Sequence, residues 1–166
     1  VLEKLFFDPN FAGAAIVFIN MFPIKGKVIT GYLQIIVKDN GGVVMVTFVS
    51  SFIAGKFWLR GGKVGATVIE VADHIDHIKN LIGIDHIGVG GDLDGCDDLA
   101  RGLEDAASYP NLTAELLYRG YTREDIGQIN SNNLIRVLKQ AEEVKEQMRE
   151  EGCEPSEALF QPNTGQ

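Results

Sequence analysis

The residues best suited by type and spacing to do chemistry lie in Gly90-Gly91-Asp92-Leu93-Asp94-Gly95, directly after the apolar run His86 to Gly90. That run reads as a buried strand. In parallel α/β folds, polar residues beyond the C-terminal end of a strand face the ligand crevice, and in barrels they face the active site. Two glycines let the backbone turn sharply and approach a ligand closely. An Asp so placed, Asp92, can hold a metal ion or accept a proton from a metal-bound water. The same residues also fit an Asx turn in which Asp92 caps the next segment. Spacing alone leaves both readings open.

Two pattern matches in this stretch fail. An EF-hand loop counted from Asp92 needs Gly where Asp97 stands and Glu where Leu103 stands. Gly88-x-Gly90 needs a further Gly at Leu93 to make a dinucleotide fingerprint. His74 and His77, in Asp73-His74-Ile75-Asp76-His77, fall at i and i+3 of a helix and can share a metal on one face. They flank the buried face beside acidic neighbours, where imidazoles more often bond to carboxylates or pack at the helix edge. His86, at the start of a strand, is at the wrong end for barrel chemistry and reads as structural. Cys96 lies beside Asp97 and Asp98, whose charges raise a thiol's pKa and weaken it as a nucleophile. Cys96 and Cys153 form no Cys-x-x-Cys pair. No metal ligands are assigned.

The elements that must position these residues have an α/β pattern. Three β-branched-rich runs, Ala14 to Ile19, Val43 to Phe48 and His86 to Gly90, read as strands buried on both faces, which suits a parallel sheet covered by helices. Thr67-x-x-Glu70 is a capping box, followed by Val71, Ile75, Ile78 and Ile82 at helical spacing. A helix over Leu112 to Arg119 ends at Gly120, and Thr122-x-x-Asp125 opens the next. A long helix then runs from Asn132 to Glu150. Its expected apolar stripe is Leu134, Val137, Leu138, Ala141 and Val144, with an acidic solvated face over Ala141 to Glu151. Three strands are few for a sheet and leave edges unpaired, which points to a fragment.

Composition sets the outer limits. The 166 residues, 45% apolar and 23% charged, suit one globular domain. A net charge of −8 disfavours a nucleic-acid partner. No apolar run reaches the ~18–20 residues of a membrane span. The start at Val1 shows neither an initiator Met nor a signal-peptide pattern, so the natural N-terminus is expected to lie further upstream. Compartment is left open.

Five strings in register resemble the membrane dipeptidase (renal dipeptidase) family of zinc metallopeptidases. They are Asp39-Asn40-Gly41-Gly42-Val43-Val44-Met45-Val46, Val71-Ala72-Asp73-His74-Ile75-Asp76-His77-Ile78, Gly90 to Gly95, Gly102-Leu103-Glu104-Asp105 with Tyr109-Pro110, and Asn133-Leu134-Ile135-Arg136-Val137. The resemblance implies the C-terminal portion of a (β/α)8 TIM barrel, about three parallel strands with outer helices. The implied divisions are 1–38, a degraded sixth-strand region, 39–150, the barrel portion, and 151–166, a flexible tail.

In that family two zinc ions share a bridging water that attacks the peptide bond of a dipeptide. The ligands come from a His-x-Asp after the first strand, a mid-barrel Glu and two later histidines. The resemblance finds none of them here: Asn20, in Val17-Phe18-Ile19-Asn20, takes the place of the last histidine, and an amide is a poor zinc ligand. Asp92 matches the Asp that exchanges protons with the bridging water. Phe52 matches an aromatic of the substrate pocket, and Lys27 falls where the family has a substrate-carboxylate arginine, keeping the charge without the bidentate fork. The expectation is a truncated or degenerate dipeptidase, inactive as this chain and without the parent family's two zinc ions. The alternatives are a split enzyme completed by a second chain (or by a homo-oligomer) through exposed sheet edges, and a non-enzymatic binding or assembly protein.

Overall fold

β-branched residues favour extended backbone, and the three valine- and isoleucine-rich runs do form strands. The computed structural model describes the backbone of residues 16–18, and residues 34–54 and 65–153. In it β1 (Ile16–Phe18), β2 (Val43–Val46) and β3 (Ile87–Val89) make a parallel sheet in the order β1-β2-β3. Ile16 stands opposite Val43, and Val44 opposite Ile87. The fold is α/β.

The second and third strands are shorter than their apolar runs, for local reasons. Phe48 leaves the ladder because its N–H donates to Gly91 O at 3.2 Å and its carbonyl accepts from Ala100 N at 2.7 Å. His86 closes a 3-10 turn, Ile84–His86, and does not open the strand.

Both faces of β2 are covered. Val44 and Val46 join the main core with Val71, Ile75, Ile78 and Ile87, while Val43 and Met45 pack with Val137. Each fully buried aliphatic side chain contributes about 1.5–3 kcal/mol. A first helix, α1 (34–39), leads into β2. A short α2 (Ser50–Ala54) follows β2, and α3 (Val68–Ile82) then supplies most of the main core's helical side. Its cap is the one expected: Ile69 N donates to Thr67 Oγ1 at 3.2 Å and Thr67 N donates to Glu70 Oε2 at 2.7 Å.

After β3 come α4 (Tyr109–Tyr118) and α5 (Arg123–Gly127). Arg119 clamps α4 to α3, donating to Asp73 Oδ1 at 2.7 Å, Asp76 Oδ2 at 2.6 Å and Glu115 Oε1 at 2.7 Å. Tyr121 adds a bond to Asp76 Oδ1 at 2.6 Å; burial and that carboxylate push its pKa upward, so it stays a donor.

The last two helices start where the sequence reading expects, but their junction and the apolar stripe differ from it. A π turn, Gln128–Asn132, joins α5 directly to α6 (Asn133–Glu150). The stripe on α6 is fully buried only near its start, and Val144 further along is half-buried. Val137 is buried and Leu134 packs beside it, but Leu138 is 49% exposed and Ala141 is exposed too. The reason is anchoring at one end: Asn133 and Arg136 hold the first turns to the sheet, and the rest of the helix runs past it. Among the described residues no helix is long and apolar enough to cross a membrane.

Candidate active site

Parallel pairing brings the C-terminal ends of β2 and β3 to one edge, so Thr47-Phe48 and Gly90-Gly91-Asp92 leave the sheet side by side. Gly91 is buried there because the chain is crowded. Its N–H donates to Tyr109 Oη at 3.3 Å, and a Cβ on it would lie 2.6 Å from that oxygen and 3.0 Å from the Phe48 ring. Phe48 and Tyr109 themselves pack with centroids 5.0 Å apart. Alanine at this point would force two aromatic rings to move.

Asp92 follows, exposed, with φ of 61°. Among the described residues no other non-glycine has positive φ. Asp tolerates this left-handed conformation better than most residues, and strain of this kind clusters at functional sites. The chain then turns, with Gly95 N donating to Asp92 O at 3.2 Å. Cys96 Sγ sits 3.8 Å from the same oxygen, a weak contact that gives the thiol no base.

The far end of the loop is pinned to the segment after β2. Ser50 N donates to Asp98 O at 2.7 Å and Ser51 N to Asp98 Oδ2 at 2.8 Å. Asp98 thus satisfies two of the free amides at the start of α2. Ser50 Oγ accepts from Ala66 N at 2.6 Å, and Arg101 N donates to Ala66 O at 2.8 Å. Phe52 is half-buried on α2, so its helix is tied through Asp98 to the loop bearing Asp92. The structure therefore brings Asp92 and the Phe52 helix into one hydrogen-bonded assembly. Lys27 and Asn20 lie outside the described residues.

The histidines do not join this edge. His74 and His77 ride on α3, whose carboxylates Asp73 and Asp76 are engaged by Arg119 rather than by imidazoles. Burial, with help from His77 and against Asp73, lowers the pKa of His74 and keeps it neutral near pH 7. The ring of His86 bonds Gly42 O at 2.8 Å, beside the N-terminal ends of β2 and β3, as its structural reading requires. Among the described residues no group of three or more His, Cys, Asp and Glu could hold a metal ion. These donors do not fit a two-zinc centre.

Sequence reasoning missed Asp98 and Tyr109 as builders of this edge. Asp98 entered only as a charge beside Cys96, and Tyr109 carried meaning only as part of a resembling string. Neither has a local signal, because both act across the chain.

The family described as membrane dipeptidase (peptidase family M19) matches residues 30–152. The chain belongs to that family. Human (Homo sapiens) Dipeptidase 3 is 40% identical over 125 residues, which is 75% of this chain and 24% of that protein. Dipeptidase tcpJ of Claviceps purpurea is 41% identical over 108 residues, covering 64% of this chain and 24% of its own. The chain thus spans about a quarter of the length of these M19 relatives.

Solved structures agree on the fold. The probable dipeptidase PvdM from Pseudomonas aeruginosa superposes with a TM-score of 0.61 at 20% identity, over 69% of this chain and 40% of its own. A metallo peptidase from Rhodobacter sphaeroides, liganded with a phosphinate mimic of the dipeptide L-Ala-D-Ala, gives 0.59 at 25% identity, over 67% and 30%. Within this M19 chain, Asp92 and Phe52 fall inside the matched segment, and Lys27 and Asn20 fall before it.

Proposed function

We propose that this M19 chain carries the acid–base edge of a dipeptidase site, built on the C-terminal portion of a (β/α)8 barrel, and does not hydrolyse dipeptides by itself. The observation that carries the reading is the placement of Asp92. It stands beyond the end of a parallel strand, in left-handed backbone, on a loop hydrogen-bonded to the loop of the neighbouring strand. A carboxylate there takes a proton from an attacking water and returns it to the leaving amine, with Phe52 lining the pocket and Lys27 offering a charge to the substrate carboxylate.

Zinc belongs to the parent activity, but the donors of these residues do not assemble a site for it. On this reading the ligands come from outside the described residues. The matched segment is only 24% of these M19 relatives, and the rest of their length leaves ample room for them.

The test is hydrolysis of simple dipeptides by the purified chain with excess zinc. No release above a zinc-only control is expected. Adding a polypeptide that carries the earlier strands and a His-x-Asp should restore turnover, and Asp92→Asn should then abolish it while keeping the side chain's shape. Turnover that survived Asp92→Asn would refute the assignment of the site.

A further inference from the structure

Gly95 closes the turn that begins at Asp92, yet its backbone does not call for glycine. It is absent from the positive-φ glycines, which are Gly41, Gly83, Gly102, Gly120 and Gly152. An L-residue can adopt its conformation. The obstacle to a side chain there is Asp92 itself. A Cβ built on Gly95 would overlap Asp92 Oδ1 and lie 3.0 Å from its Cγ and 3.4 Å from Oδ2. All three nearest neighbours of that missing carbon belong to one carboxyl group.

We infer that Gly95 is a positioning residue, and that its empty Cβ position is the seat in which the Asp92 carboxyl group lies. The Asp92 side chain is short, and its backbone is held by Gly91 on one side and by the turn bond to Gly95 on the other. It has one way to yield to a methyl at residue 95, which is rotation to another staggered well. That would swing both oxygens away from the place they take beside Gly95. In a site where a misplacement of about 1 Å can cost ~100-fold in rate, the seat decides whether the carboxylate meets its water. The functional meaning rests on the acid–base reading of Asp92; the seat itself does not.

The test is a double-mutant cycle on the full chain with Gly95→Ala and Asp92→Gly, the latter chosen because glycine is at ease at φ of 61°. Gly95→Ala should lower the thermal midpoint when Asp92 is present. In the Asp92→Gly background it should leave the midpoint unchanged or raise it, since a methyl at a permissive backbone restricts the unfolded chain. In protein labelled at aspartate side-chain carboxyl carbons, the Asp92 resonance should move in Gly95→Ala while those of Asp73 and Asp125 stay fixed. Equal midpoint shifts in both backgrounds, or a stationary Asp92 resonance, would overturn the inference. Should Gly95→Ala alone fail to fold, rescue in the double variant supports the seat and continued failure overturns it. Both readouts are taken without turnover, so a failure of the dipeptidase reading would leave them where they are.

Discussion

Asp92 combines two properties that rarely coincide in a surface residue: a charge at the strand-end edge and backbone in the left-handed region. The first was legible in the sequence. Glycines after a buried apolar run mark where a strand stops, and in parallel α/β folds the polar residue that follows stands at the strand end where ligands bind. The second was not, because the conformation is imposed by the return of the loop to Phe48 and Ser50, far along the chain. The same limit hid the seat on Gly95. Left-handed backbone gives a sharp prediction at this scale. Asp92→Asn should leave stability unchanged, since Asn shares the tolerance of Asp for positive φ. Asp92→Leu, with no local hydrogen bond to offer, should cost about 1–2 kcal/mol in urea denaturation. A leucine variant as stable as the parent chain would mean that residue 92 is not held at positive φ in solution.

At the scale of elements, the best-read features were those whose cause is local. Thr67-x-x-Glu70 and Thr122-x-x-Asp125 foretold two helix starts because each box closes within three residues. The π turn before α6 was not foretold. It places Asn133 against the carbonyls of Ile84 and Ile87, a tertiary demand that leaves no trace in helical periodicity. The apolar stripe on α6 misled for the opposite reason: periodicity reports which residues share a face and not whether anything covers it. The Thr67 box also fixes a pH dependence. The Thr67 hydroxyl, helped by backbone amides and opposed by burial, holds Glu70 below its ordinary 4.5. A carboxyl whose folded pKa is depressed contributes stability in full above its unfolded value and loses it as pH falls through the folded one. Glu70→Gln should therefore destabilise the chain at pH 7 and matter progressively less as pH drops below about 4.5. Thr67→Ala should cost about 1 kcal/mol at pH 7. A Glu70→Gln deficit that grew on acidification would remove the carboxylate from the cap.

For the molecule as a whole, the parallel α/β pattern was legible because strands buried on both faces need helices on both. What covers the second face of β2 was not, and that helix, α6, is the one that divides the molecule's labour. Asn133 Nδ2 donates to Ile84 O and Ile87 O at 2.8 Å each, and Arg136 donates to Gly41 O at 2.6 Å and Asp85 O at 2.9 Å. All four carbonyls lie at or before the starts of β2 and β3, the end opposite Asp92. On the proposed barrel reading, residues at that end serve stability and those at the strand C-termini serve chemistry. Asn133 is 1% exposed, so removing its amide strands two acceptors where water cannot easily replace it. Asn133→Ala should then cost about 1–3 kcal/mol for each acceptor left unmet, seen as a lowered urea midpoint. The edge carrying Asp92 is held instead by Tyr109, Phe48 and Asp98, none of which touches α6 through a hydrogen bond or ring contact. The Asp92 side-chain carboxyl resonance should accordingly be the same in Asn133→Ala and the parent chain under native conditions. If that resonance moved as far as it does in Gly95→Ala, the two ends of the sheet would be mechanically coupled, and the separation of a supporting end from a working end would fall.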